Sequence, residues 1–207
     1  MAQLRELKKQ QTRQTISHVA TGLFIERGFE RTTIADIARA AGVSKMTVTN
    51  YFPRKEDLFF DAAEELIEGP ARTVRERAEG ESALAALRRA YLTAAERHDP
   101  LLGRFSPGFA RLLQDSPALR ARLREIYDQQ EQALAEALRE AVGEKGGRLE
   151  PVLAAAQLGG VQRVLLDEAR QRVLRGETEE EFFAGLARAA REAFDLLEPA
   201  LGDYAVR

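Results

Sequence analysis

The chain contains no cysteine and only two histidines, His18 and His98. The first absence excludes disulfides, thiolate metal sites and cysteine nucleophiles. The second leaves no imidazole cluster. No nucleophile stands beside a recognisable base, and there is no glycine-rich phosphate loop or metal-spaced group of ligands. A carboxylate pair remains open because acids are plentiful, but the expectation is a protein that is not an enzyme and carries no cofactor or metal. No apolar run approaches the roughly 20 residues that span a bilayer, and the N-terminus lacks the apolar core of a signal peptide. A cytoplasmic location without a membrane partner is the default. Convincing strands are missing too, since apolar residues recur at helical spacing throughout.

What is present is an uneven charge. The 207 residues suffice for two small domains or one larger helical unit, and the formal net charge is only -2. Residues 1–55 nevertheless hold ten Lys or Arg against four acids, a local charge of +6, which leaves -8 for the remainder. A basic end on an acidic body suits one face meeting phosphates while the rest repels them.

Within that basic end, the stretch Thr32 to Lys55 reads as a helix-turn-helix. Thr33 is an N-cap with Asp36 three residues on, so a helix should start at Ile34 and bury Ile34, Ile37, Ala38 and Ala41. Gly42 suits a sharp turn that needs positive φ, and Val43 can fill the angle behind it. Ser44 caps a second helix to about Phe52, with Val48 and Phe52 inward. Lys45, Met46, Thr49 and Asn50 then form an outward strip, with Thr47 beside it. A major groove admits one helix and offers its side chains donors, acceptors and thymine methyls. Tyr51, Lys55 and the hydroxyl or amide at Thr33 are placed to reach phosphate oxygens. Before this stretch, Ile16, Val19, Ala20, Leu23 and Phe24 mark an amphipathic helix ended by Gly28. It completes a three-helix unit. His18 lies off that stripe and reads as an ordinary surface residue. Residues 1 to about 11 read either as a frayed end or as an arm whose Arg5, Lys8 or Lys9 tracks phosphates or enters a minor groove.

From about Thr12 to Leu58 the chain resembles the DNA-binding domain of the TetR family of bacterial transcriptional regulators. The resemblance rests on the RGF end of the first helix at Arg27–Phe29, on TTIADIARAAGVS, and on the YFPRKEDL run from Tyr51 to Leu58. Many relatives carry glycine in place of Met46 and an aromatic in place of Thr49, so base preference does not transfer. The resemblance implies an all-α protein in two parts: a DNA-binding domain at 1–55 and a helical ligand-binding and dimerisation domain at 56–207. It further implies a homodimer on a palindromic double-stranded operator. A small-molecule effector would release that dimer, and a repressor is the default over an activator. A non-switching DNA binder of the same fold is the alternative.

The body supports helices only. Glu56 to about Glu68 should form a connector kinked or ended by Gly69–Pro70. Helices are expected from Ser82 to about Arg97, in two pieces around Ser106–Pro107–Gly108, and from Pro117 to about Val142. Tyr91, Phe105, Phe109 and Tyr127 are the aromatic candidates for contact with an effector, whose identity is unknown. Arg89, Arg104 and Arg163 leave room for an anionic one. The last two helices, about 150–175 and 178–197, carry small residues (Ala154, Ala155, Ala156, Gly159, Gly160) and an apolar stripe (Phe183, Leu186, Ala190, Phe194). Both faces would be buried either within one chain or between two copies in a four-helix bundle.

Overall fold

The computed structural model describes the backbone of residues 2–143 and 146–207, and side chains from residue 7 onward within those ranges. The described residues form helices and no strand. They are α1 (Ala2–Arg27), α2 (Ile34–Ala40), α3 (Lys45–Tyr51), a 3-10 turn (Glu56–Leu58) and α4 (Ala63–Arg75). These are followed by α5 (Ala83–Glu96), a second 3-10 turn (Pro100–Leu102), α6 (Pro107–Asp115), α7 (Pro117–Val142), α8 (Glu150–Arg175) and α9 (Glu179–Leu201). The chain divides into one compact unit of Met1–Ala63 with Gly108–Leu123, and a second of Glu64–Pro107 with Arg124–Arg207.

In the first unit, Ile16, Ala20 and Phe24 of α1 pack with Ile37 of α2 and with Val48 and Phe52 at α3, all almost fully buried. The later segment of that unit is tied in by specific contacts. Phe109 stacks on Phe59 with ring centroids 3.8 Å apart. Arg122 pairs with Asp57 at 3.0 Å with both side chains mostly buried. Ser116 donates to the Glu30 carboxylate at 2.9 Å. The sequence reading of a basic head ending at residue 55 contains none of these contacts, because they join positions 50 or more residues apart.

In the second unit, α9 packs against α5 and α8. Phe182, Leu186 and Phe194 of α9, Leu84 and Leu87 of α5, and Leu158 and Leu165 of α8 are buried. Thr178 and Glu181 close a reciprocal capping box at the start of α9, which satisfies two donors that a helix start otherwise leaves open. The helix runs through Pro199 to Leu201, four residues beyond the expected end. Buried Arg77 donates to the carbonyl oxygens of Val74, Glu81 and Ala205, which anchors the C-terminal tail.

The connector departs from expectation. Glu56–Leu58 is only a 3-10 turn, and α4 starts at Ala63 and passes through Gly69–Pro70 without ending. The reason lies in one hydrogen bond. Pro70 has no N–H to give the carbonyl of Leu66, four residues back, and an orphaned buried carbonyl is costly. The Gln130 side-chain amide of α7, only 5% exposed, donates to that carbonyl instead. Gln130→Leu should therefore lower stability by about 1–3 kcal/mol, whereas Gln130→Leu combined with Pro70→Ala should recover much of it. Paired thermal melts check this, and equal losses in the single and double variants would contradict it.

Candidate nucleic-acid interface

Each end of the two short helices in the basic unit is fixed by its own sequence. The Thr33 hydroxyl accepts from the Asp36 amide, and the Asp36 carboxylate accepts from the Thr33 N–H at 3.1 Å and from its hydroxyl at 2.5 Å. Those two donors hold the Asp36 carboxyl below its usual range. A depressed folded pKa stabilises above the unfolded value and loses that contribution as pH falls through the folded one, so this cap weakens only in acid. Gly42 takes φ 67°, the left-handed conformation that lets the chain turn between α2 and α3. Ser44 Oγ then accepts from the Thr47 amide at 3.0 Å. At the far end Phe52 is extended at φ -137°, as a residue before proline prefers.

With Val48 buried, the opposite side of α3 faces solvent. Lys45, Met46, Thr49 and Asn50 are all exposed, Met46 at 69%. The Thr49 hydroxyl donates back to the Met46 carbonyl at 3.1 Å, which leaves its methyl as the free feature. Thr47 and Tyr51 are half-buried, while Thr33 and Ser44 are exposed. In the region read as an arm, α1 is helical from Ala2, and Lys8 and Lys9 are exposed. The Arg5 side chain lies outside the described residues.

Two basic residues hold this surface in place. Arg13 donates to the carbonyls of Tyr51 at 3.1 Å and Asp61 at 3.2 Å, with its guanidinium 4.4 Å from the Phe52 ring centroid. It fastens α1 to the end of α3, where carbonyls are open and a cation is favoured. Lys55 donates to the carbonyls of Phe29 at 2.9 Å and Thr32 at 3.1 Å, and its ammonium lies 4.1 Å from the Phe29 ring centroid. Two of its three donors are thus spent inside the protein, which leaves one for the phosphate contact expected from the sequence. The signal was there: a lysine 26 residues beyond the RGF turn whose aromatic it covers.

Of the four aromatics considered for an effector, Tyr91 and Tyr127 line one cavity in the second unit. Phe105 is half-exposed and Phe109 stacks on Phe59 in the first unit, so neither borders that cavity. Leu66, Gln130 and Gln162 do border it and were not singled out as contacts from the sequence. Among the described residues no group of three or more acids or histidines has the arrangement to hold a metal ion, and no helix is long and apolar enough to cross a membrane.

A capped pair of short helices in a basic three-helix unit, followed by a helical body, has the architecture of a helix-turn-helix protein. Residues 16–62 match the family described as bacterial regulatory proteins, tetR family. The chain is 29% identical over 205 residues to the HTH-type transcriptional regulator TcmR of Streptomyces glaucescens, spanning 96% of this chain and 88% of that protein. It is 41% identical over 59 residues to the HTH-type transcriptional regulator AcrR of Shigella flexneri, spanning 28% of this chain and 27% of that protein. Native NalD of Pseudomonas aeruginosa, a secondary repressor of an efflux pump, shares the fold with a TM-score of 0.57 at 22% identity, over 89% of this chain and 97% of that one. Residues 16–62 thus resemble the DNA-binding domain of the TetR family of bacterial transcriptional regulators, and the proteins of that family are not enzymes.

Proposed function

We propose that the protein is a cytoplasmic, ligand-responsive repressor that binds a palindromic operator as a homodimer and is released by a small-molecule effector. The observation that carries this reading is the solvent-facing strip of Lys45, Met46, Thr49 and Asn50 on α3, in a segment whose charge is +6. Lys45 and Asn50 offer hydrogen bonds to base edges, and Met46 with the Thr49 methyl suits thymine methyl groups. Thr33, Ser44, Thr47 and Tyr51 border the strip and serve the phosphates. The domain division at residue 55 is kept as a functional one, reader before and effector-binding body after, with α4 as the lever between them.

A single α3 reads few base pairs, so two copies are needed. The last two helices are suited to hold them. Leu153, Ala156, Gly160 and Val164 share one face of α8, with Leu149 just before it, and Val164 is 59% exposed. On α9, Leu196 is 77% exposed. A Cβ built on Gly160 meets nothing within 4 Å beyond its own stretch of helix, whereas Ala154 and Ala155 are buried within the chain and a Cβ on Gly159 would touch Glu131. An apolar face left uncovered in this way favours a partner, and a second copy presents the same face.

Lys45→Ala should change base preference at one or two operator positions while leaving the salt dependence almost intact. Loss of a phosphate contact instead flattens the salt slope by about one. Gel-shift titrations over single-base operator variants at several salt concentrations check the assignment. An equal loss on every variant would contradict a reading role for Lys45.

A further inference from the structure

Resting on the reading of α3 as the helix that enters the major groove, we propose that Met46 and the Thr49 methyl together read the C5 methyl group of a pyrimidine. Operator affinity then follows methylation at that carbon, on cytosine as well as on thymine. Position on the helix carries the first step. At about 3.6 residues per turn, the order around the exposed side of α3 is Lys45, Thr49, Met46, Asn50. The middle two are neighbours, flanked by an ammonium and an amide. What they offer is apolar. The Thr49 hydroxyl turns back onto its own helix, donating to the carbonyls of Met46 at 3.1 Å and Lys45 at 3.3 Å, a bond that threonine readily makes in a helix. Its methyl is the group left for a ligand. Met46 is the most exposed large apolar side chain among the described residues of the first unit. The nearby hydroxyls of Ser44 and Thr47 bond one another at 2.9 Å.

Charge says what covers this apolar pair. It lies in a segment of charge +6, which suits a polyanion and opposes burial against an apolar protein face. Within a major groove, the apolar feature of the base edges is the methyl on C5 of thymine. Cytosine methylated at C5 presents the same group at the same place. The two bases differ at C4, an acceptor in one and a donor in the other, and neither a thioether nor a methyl makes a strong hydrogen bond to either. Lys45 and Asn50, on the two sides of the pair, serve those polar edges. Methionine adapts its unbranched, polarizable chain to the shape it meets. Uracil and unmethylated cytosine leave both apolar ends against water.

The test starts from the duplex that the purified full chain selects from a random pool. Each thymine is replaced in turn by deoxyuridine, in both half-sites together, and gel shifts give the affinities. At one thymine per half-site the loss should be about fourfold per methyl removed. Where cytosine stands in place of that thymine, 5-methylcytosine should bind more tightly than cytosine by the same factor. That comparison changes nothing but the methyl. Four exposed-site variants assign the effect. The preference for thymine over deoxyuridine should shrink in Met46→Ala and in Thr49→Ser, which keeps the back-bonding hydroxyl and removes the methyl. It should persist in Thr49→Val, which keeps a methyl there, and in Lys45→Ala, which keeps both apolar ends. The proposal is overturned, with groove reading by α3 intact, if the selected half-site holds no thymine or if deoxyuridine equals thymine at every position. It is equally overturned if 5-methylcytosine equals cytosine, if Met46→Ala and Thr49→Ser both retain the full preference, or if Thr49→Val or Lys45→Ala abolishes it. Failure to select any sequence would instead refute groove reading itself, and this inference with it.

Discussion

Gly160→Leu is expected to convert the proposed dimer to a monomer and to weaken operator binding by about a hundredfold or more. The magnitude follows from linked sites: once one reader is bound, the second binds as though intramolecular, an advantage on the order of 100- to 10,000-fold that disappears when the two copies separate. The substitution is a clean probe because a Cβ at this position meets nothing within 4 Å apart from the backbone of its own helix turn. Leucine is also a better helix former than glycine. The folded monomer should thus be at least as stable as before, and helicity by circular dichroism should be unchanged. Sedimentation reports the oligomeric state, and a gel shift on the same sample reports affinity. A variant that remains dimeric, or a monomer that still binds tightly, would place the interface elsewhere.

The second large effect concerns Lys55. Removing its ammonium frees the Phe29 and Thr32 carbonyls and ends the contact with the Phe29 ring. Hydrogen bonds to charged groups contribute roughly 1.5–3 kcal/mol, a large part of the margin of a small helical unit. Lys55→Ala should therefore lower the melting temperature by several degrees and weaken binding to every DNA sequence, and Lys55→Met should do the same despite keeping the stem. The salt slope of the molecules that remain folded should be nearly unchanged. A melt identical to the parent together with a slope reduced by about one would return Lys55 to a phosphate role.

These two residues mark where the sequence was sufficient and where it was not. The helix-turn-helix was legible because its signals are local: Thr33 with Asp36, Gly42 at positive φ, Ser44 before α3, and Pro53 after it. The outward strip followed from the 3.6-residue period once Val48 was assigned inward. Lys55 and Arg13 were harder, since a basic residue in a basic segment reads equally well as a phosphate contact or as a clamp on open carbonyls. From sequence, Gly69–Pro70 predicts a kink or an end; α4 continues through it, and the residue that serves the freed carbonyl, Gln130, is 60 residues away. Phe109 lies in a segment where the resemblance places effector pockets, and its stacking on Phe59 in the first unit sets it apart from Tyr91 and Tyr127, which line one cavity in the second.

The measurement that bears most directly on the whole account is selection of bound duplexes from a random pool by the purified protein, repeated with Lys45→Ala. The account predicts enrichment of an inverted repeat whose half-sites lie about one or two helical turns apart, with Lys45→Ala retaining the spacing and relaxing one or two positions in each half-site. Recovery of unenriched sequence by the parent, or of the same motif at full strength by Lys45→Ala, would contradict it.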